Sequence, residues 1–160
     1  MSQSCLDCVQ RADRVFCDLA PDALEAFDGI KTAQSCPKGT VLFREGQPAR
    51  GVFLLCEGRV RLSICSESGS RMTLRIATAG EVLGLSAALT GADYEVTAEA
   101  LDQVKVAAVR RKELLRFLHD HREVCLQVVN LLSEDLHVAY DRVRAVGLGR
   151  VRRARSSPVH

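Results

Sequence analysis

The residues best placed to bind a small ligand lie between Gly80 and Leu101, in the sequence GEVLGLSAALTGADYEVTAEAL. A Gly-Glu-x-x-Gly turn there leads into a Leu/Ser/Ala stretch long enough for one or two helical turns, and an alternating strand follows. A glycine turn that feeds a helix N-terminus points backbone N–H groups outward, which suits an anion. Glu81 is a candidate for bonding a hydroxyl group next to that anion. The pattern therefore predicts an anion cradle.

The charge of this segment argues against a bound phosphate. From Ile76 to Val104 there is no Lys or Arg, whereas there are five acids: Glu81, Asp93, Glu95, Glu99 and Asp102. An unpaired buried charge costs several kcal/mol, enough to abolish a micromolar complex worth about 8 kcal/mol. Arg75 is the nearest cation, but nothing in the spacing requires it to reach the turn. The cradle is thus expected to lack a cationic partner for an anion.

Cysteines are the second group with potential chemistry. Cys5, Cys8 and Cys17 lie in a C-x2-C-x8-C pattern, and thiolates of this kind favour iron–sulfur clusters and zinc. The chain has seven cysteines and no apolar run suited to a signal peptide or a membrane span, which predicts reduced thiols in a cytoplasmic protein. A metal site and a set of redox-active or structural thiols both remain open.

The elements that must position these residues follow from hydrophobic periodicity. A short helix is predicted at Pro21–Asp28, followed by strands that indicate a β-sandwich or barrel. On two of these strands, Val60, Leu62 and Ile64 are expected on one face, and Met72, Leu74 and Ile76 are expected opposite Thr73 and Arg75. The predicted strands are Thr40–Phe43, Val52–Cys56, Val60–Cys65, Met72–Ile76, Glu95–Ala100 and Val104–Val109.

After Arg110 the period changes from two to 3.6, which predicts helices at Lys112–His119 and Arg122–Leu148. The longer helix has an unbroken 4-3-4-3 spacing typical of a parallel coiled-coil seam. The seam residues are Cys125, Val129, Leu132, Leu136, Ala139, Val143 and Val146. A second stripe consists of Val124, Val128, Leu131 and Val138. One stripe can pack on the β body while the other pairs with a second copy; a single broad core-facing stripe is the alternative.

These features resemble the N-terminal sensory domain of Crp/Fnr-type bacterial transcription regulators. PKGTVLFREGQPARGVFLLCEGRVRLS (37–63) is similar to the opening strands of that domain, and RVRAVGLGR (142–150) is similar to the end of its dimerisation helix. The resemblance implies a mainly β fold with α: a cyclic-nucleotide-binding-like β-roll (double-stranded jelly roll) with flanking short helices and a long C-terminal dimerisation helix.

The resemblance also implies the residues of a phosphate-binding cassette. Nucleotide-binding members have an arginine just before the Thr/Ser-Ala pair, and this chain has Val96 there, so binding of cyclic AMP is not expected. The cassette positions are Gly80, Glu81, Gly84, Leu85, Ser86, Val96, Thr97 and Ala98.

The N-terminal cysteines resemble the cluster of the oxygen-sensing Fnr branch. That branch takes a fourth ligand near the position of Ala107, where this chain has no cysteine. No cofactor is therefore expected, with an iron–sulfur cluster or zinc on Cys5, Cys8 and Cys17 as the alternative.

The expected organisation is an N-terminal cysteine-containing arm (1–20), the β-roll with its short helices (21–121), the dimerisation helix (122–149) and a basic, disordered tail (150–160). Residues 1–149 carry 18 basic and 20 acidic side chains, so this part is not a nucleic-acid-binding surface. A winged helix-turn-helix follows in full-length regulators, and ten residues cannot form one. A truncated protein, a gene fragment and a natural stand-alone sensor all fit.

The predicted function is the sensory/effector and dimerisation module of a homodimeric transcription regulator that contacts DNA only through a missing domain or a partner subunit. Its effector is an unidentified small molecule, and no membrane partner is expected. Two alternatives remain: a redox or metal sensor that uses the N-terminal cysteines, and an interaction protein that pairs with full-length relatives. No Ser-His-Asp set, Walker loop or paired-carboxylate motif occurs, so an enzyme is not predicted.

Overall fold

The computed structural model describes residues 20–154; beyond Glu134 it describes only the side chains of Leu136, His137, Tyr140, Asp141, Arg144 and Ala145. Eight strands and four helices occur within the described part. In chain order they are α1 (Pro21–Ile30), β1 (Thr32–Cys36), β2 (Val41–Phe43), β3 (Gly51–Glu57), β4 (Val60–Cys65), β5 (Arg71–Ala77), β6 (Val82–Leu83), α2 (Leu85–Thr90), β7 (Thr97–Ala100), β8 (Val104–Arg110), α3 (Arg111–Asp120) and α4 (Arg122–Ala154).

Two four-stranded antiparallel sheets form the body, as the short alternating segments predicted. The strand orders are β1-β8-β3-β6 and β2-β7-β4-β5. Apolar side chains of both sheets form the core, together with side chains of α1 and α3. The largest fully buried side chains are those of Phe27, Leu24, Leu54, Leu55, Leu114, Val60, Val104, Val106, Val109 and Val124, with the small polar Ser63 among them.

Two strands were missed by the sequence analysis. β1 has the polar sequence TAQSC, four of its five residues are exposed, and it pairs only with β8 at the edge of its sheet. A strand without an apolar face carries no period-two signal, so only its partner identifies it. β6 has two residues and pairs with β3 at the opposite edge. It is too short to show a period.

The predicted alternation along β5 is wrong, because a bulge interrupts its pairing with β4. Leu62 pairs with Arg75 and Ser63 pairs with Thr73, so Leu74 is the extra residue on β5. A bulge moves all later side chains to the opposite face. Arg75 therefore lies on the same face as the buried Leu62. Met72, Leu74 and Ile76 are 55%, 41% and 40% exposed.

The short helices flank the sheets as predicted. α1 begins with Pro21 in its first turn and extends two residues beyond the predicted end at Asp28. Phe27 of α1 lies against Phe117 of α3, with 5.6 Å between the ring centroids. α3 ends at Asp120, and the φ of −127° and ψ of 84° at the following His121 are not helical. This break separates α3 from α4.

The described part of the chain divides into two compact units between Cys125 and Leu126. α4 continues to Ala154, six residues beyond the predicted end at Leu148, and residues 150–154, expected in a disordered tail, are helical. Gly147 and Gly149 disfavour a helix by only about 1 kcal/mol each, and Arg is a good helix former. Within residues 20–154, no helix is both long enough and apolar enough to span a membrane.

Candidate functional site

The glycine turn of the cassette has the predicted local structure. Gly84 adopts φ 81° and ψ 13° before the six-residue helix α2, a left-handed conformation that favours glycine. A Cβ atom at Gly84 would lie 2.7 Å from Cε1 of Tyr94, so the position also lacks room for a larger residue. Leu85 is buried at the start of α2 and Ser86 is exposed. The predicted short helix is confirmed.

The anion cradle is smaller than predicted, because two N–H groups of the turn are already used. The N–H of Gly80 donates to the carbonyl of Leu55 at 2.6 Å, and that of Glu81 donates to the carbonyl of Thr78 at 3.2 Å. The first N–H groups of α2 have no intrahelical acceptor, and no side chain caps them. These uncapped N–H groups of α2 remain as backbone donors to an anion.

Both carboxylate oxygens of Glu81 have partners inside the chain. Oε1 accepts a hydrogen bond from Nη1 of Arg75 at 2.5 Å. Oε2 accepts one from the N–H of Thr78 at 2.7 Å and another from its hydroxyl at 3.3 Å. Arg75 reaches the turn because the β5 bulge places it on the inner side of the strand. The predicted role of Glu81 in bonding a ligand hydroxyl would require these bonds to break.

The Val96–Ala98 end of the cassette offers few free donors. The half-buried Val96 stands at the arginine position and has no polar side-chain atom. Oγ1 of the buried Thr97 accepts a hydrogen bond from the N–H of Glu45 at 3.0 Å. Ala98 is fully buried. The two halves of the cassette thus lie around β6 and α2 and at the start of β7, and Val96 supplies no cation.

Three of the five acids expected to be uncompensated are in fact paired with arginines. Glu81 pairs with Arg75, Glu99 pairs with Arg61 and Arg71, and Asp102 pairs with Arg59. A hydrogen bond from Arg61 is the main cause that holds the pKa of Glu99 below its ordinary value, and Arg59 does the same for the pKa of Asp102. All four arginines belong to β4, β5 or the turn before β4, so the acidic count of the segment alone was misleading.

Tyr94 anchors the loop between α2 and β7, and the sequence analysis did not identify it. Its hydroxyl donates to the carbonyl of Gly51 at 2.6 Å. Its ring stacks on Phe43 with 4.0 Å between centroids. Burial raises the pKa of Tyr94, and hydrogen bonds with the backbone of Gly51 and Arg50 oppose that rise. A single aromatic residue within a Gly/Ala/Asp-rich loop was the available signal.

Arg111, the first residue of α3, was also missed. Its Nε donates to the carbonyl of Ala88 in α2 at 2.6 Å, and its backbone N–H donates to the carbonyl of Arg50 at 2.7 Å. A cation at the C-terminal end of a helix interacts favourably with the helix dipole. This guanidinium therefore stabilises the end of α2 away from the glycine turn.

The predicted metal ligands Cys5, Cys8 and Cys17 lie outside the described residues. Among residues 20–154, no group of three or more His, Cys, Asp or Glu side chains is arranged to hold a metal ion. The iron–sulfur or zinc site stays a prediction.

The described seam residues of α4 differ in burial from the second stripe. Val129 and Leu136 are 53% and 51% exposed, Cys125 is exposed and Leu132 is half-buried. By contrast, Val124 and Val128 of the second stripe are buried, and Leu131 is half-buried. Ala139, Val143, Val146 and Val138 lie outside the described side chains. Among the described side chains, the second stripe is therefore more buried than the seam.

Known proteins are similar to this chain in both sequence and fold. The family model described as cyclic nucleotide-binding domain matches residues 33–121. The transcriptional activatory protein AadR of Rhodopseudomonas palustris is 26% identical over 140 residues, which are 88% of this chain and 57% of AadR. The global nitrogen regulator of a Synechocystis species is 28% identical over 122 residues, which are 75% of this chain and 50% of that protein. The chain spans about half the length of these relatives.

Two solved structures show the same fold. The catabolite activator protein of Thermus thermophilus matches with a TM-score of 0.76 and 22% identity over 83% of this chain and 62% of that one. The sensor domain of the regulator DNR from Pseudomonas aeruginosa matches with a TM-score of 0.69 and 23% identity over 82% of this chain and 88% of that one. The predicted β-roll with flanking helices is confirmed.

Proposed function

The chain belongs to the cyclic nucleotide-binding domain family, its relatives include Crp/Fnr-type transcription regulators, and we propose that it is a sensory and dimerisation module that does not bind cyclic AMP. The observation that carries the proposal is the Arg75–Glu81 ion pair beside a cassette that has Val96 at its arginine position. We assign no role in DNA binding to residues 1–149, because their net charge is slightly negative.

A cyclic phosphate placed at the glycine turn would lack a free cation. Arg75 is bound to Glu81, and Arg111 is bound to Ala88 at the other end of α2. Moving Arg75 to a phosphate would leave the carboxylate of Glu81 without its charged partner, and hydrogen bonds to charged groups contribute about 1.5–3 kcal/mol each. This cost reduces the binding free energy, of which a micromolar complex needs about 8 kcal/mol.

Calorimetric titration with cyclic AMP tests this part of the proposal. We expect no binding tighter than about 100 µM by the unmodified chain, which corresponds to about 5.5 kcal/mol. Val96→Arg is expected to increase the affinity, because it supplies the missing bidentate donor. Val96→Gln is the matched control, since it adds a polar side chain of similar reach without charge. Low-micromolar binding by the unmodified chain would contradict the proposal.

Dimerisation is proposed to occur through the exposed stripe of α4. Val129 and Leu136 are seven residues apart and more than half exposed, as expected for side chains that a second helix covers. In a parallel, in-register dimer, Cys125 lies opposite Cys125 of the other copy, within the reach of a disulfide. In a variant with the other six cysteines replaced by serine, mild oxidation is expected to give a covalent dimer. A product that stays monomeric would exclude the parallel arrangement.

A further inference from the structure

An open cavity of about 870 Å³ lies in the roll, and Gly51 and Tyr94 of its lining are also neighbours of Gly84 in the cassette turn. Residues of β1, β2, β3 and β8 line it, together with the end of α1 and Glu113 of α3. None of the described residues 80–86 or 96–98 belongs to the lining. Its volume lies within the range of about 300–1,000 Å³ that is usual for small-molecule sites.

One wall of this cavity is aromatic and held in place. Phe43, Phe53 and Tyr94 all line the cavity, and Phe43 stacks on each of the other two. The ring centroids are 4.0 Å apart for Phe43 and Tyr94 and 5.9 Å apart for Phe43 and Phe53, with nearly parallel planes in both pairs. The hydrogen bond from the Tyr94 hydroxyl to Gly51 fixes the outer ring. Phe43 and Tyr94 are only 4% and 6% exposed, so the half-buried Phe53 is the ring of this stack most open to a ligand.

The charge of the lining is positive. Arg50 precedes Gly51, and Arg110 is paired with Gly51 across the β3–β8 ladder, so the two arginines are close along the backbone. Both are exposed, and neither guanidinium has a hydrogen bond or ion pair within the described part of the chain. Glu113 is the one acid of the lining, and it is already near Arg116, at 3.9 Å. Two adjacent unpaired guanidiniums favour an anion.

We propose that this cavity binds a small organic anion with a planar apolar part, separately from the cassette. The planar part lies against Phe53, and the acidic group is bound by Arg50 and Arg110. Tyr94 also contacts the cassette, because its ring fills the space beside Gly84. Tyr94 thus belongs both to the lining of the cavity and to the support of the glycine turn.

Titration of the full chain with 2-naphthoate, followed by two-dimensional amide NMR, tests the proposal. We expect saturable shifts centred on the amides of Gly51 and Arg110, with a dissociation constant below about 1 mM. Acetate, which has the charge without the ring, and 2-naphthalenemethanol, which has the ring without the charge, are each expected to bind at least about tenfold more weakly.

The double variant Arg50→Gln/Arg110→Gln is expected to weaken binding of 2-naphthoate at least about tenfold. Neither guanidinium has a partner to lose, so the fold should be unchanged. Arg59→Gln, which removes an exposed guanidinium in the turn after the far end of β3, is the control and should bind normally. Two results with the variants and ligands would each overturn the proposal: unchanged affinity in the double variant, or equal binding of the neutral compound. So would shifts centred on Gly84 instead of Gly51, or no saturation below about 10 mM.

Discussion

The polar groups of the cassette turn are bonded within the chain, whereas the apolar side chains of the exposed stripe of α4 are not covered. At the turn, Glu81 accepts hydrogen bonds from Arg75 and Thr78, and the backbone N–H groups of Gly80 and Glu81 donate to carbonyls within the chain. On α4, Val129 and Leu136 remain more than half exposed. The turn thus uses these polar groups within the chain, whereas α4 presents apolar side chains that we propose a second copy covers. This difference explains why we assign partner binding to α4 and not nucleotide binding to the turn.

The largest expected effect comes from substitutions in the exposed stripe of α4. Val129→Glu/Leu136→Glu should weaken self-association at least about 100-fold, because two charges would have to be desolvated between the helices. Sedimentation equilibrium over a range of concentrations measures it. Leu126→Glu is the matched control: Leu126 is 62% exposed on the same helix but belongs to neither stripe, so its substitution should leave the dimer intact. A wild-type chain that is monomeric at tens of micromolar would contradict the dimer.

Gly84→Ala tests how tightly the cassette turn is packed. We expect a loss of about 2–3 kcal/mol in the free energy of unfolding, from the left-handed φ and the contact with Tyr94 together. Gly69→Ala is the control, since Gly69 has φ +90° and nothing within 4 Å of an added Cβ atom. It should lose only the backbone contribution, about 1 kcal/mol. Equal losses in urea denaturation at one protein concentration would show that Tyr94 does not restrict the turn.

Arg75→Gln tests whether the turn depends on its internal ion pair. We expect a loss of about 1 kcal/mol in the free energy of unfolding, reduced from the value of a buried pair because both side chains are partly exposed. Arg71→Gln is the matched control on the same strand, since Glu99 keeps Arg61 when Arg71 is lost. The control should change stability by less than about 0.5 kcal/mol. If the two variants lose equally, the pairing at Glu81 has no special role.

The smallest expected effect concerns Glu99, whose pKa is held below its ordinary value of 4.5 mainly by Arg61. A lowered pKa in the folded state gives stability that is present above the ordinary pKa and is lost as the pH falls through the folded pKa. Glu99→Gln should therefore be less stable than wild type at pH 7, by about 0.5–1 kcal/mol. The difference should shrink in urea denaturation at about pH 3. A difference that is constant from neutral to acidic pH would exclude this linkage.

The predictable parts of the fold are those with strong local signals. Six of the eight described strands and the four described helices were located from period-two alternation, period-3.6 spacing and glycine turns, with small errors at their ends and a wrong assignment of the faces of β5. β1 and β6 were not predictable, because a polar edge strand and a two-residue strand have no pattern of their own. The cassette positions were predictable as a group, but the partners of Glu81, Glu99 and Asp102 were not.

Local conformation and helix spacing were set by the sequence itself. Gly84 adopts its left-handed φ because the turn before α2 needs it, and the 4-3 spacing puts Val129 and Leu136 on one line of α4 whatever the rest of the chain does. Tertiary structure alone decided which charges meet. The β5 bulge turns Arg75 inward to Glu81, and the hydroxyl of Tyr94 bonds Gly51, 43 residues away in the chain. Such contacts depend on strand register and on sheet packing, and a local sequence pattern contains neither.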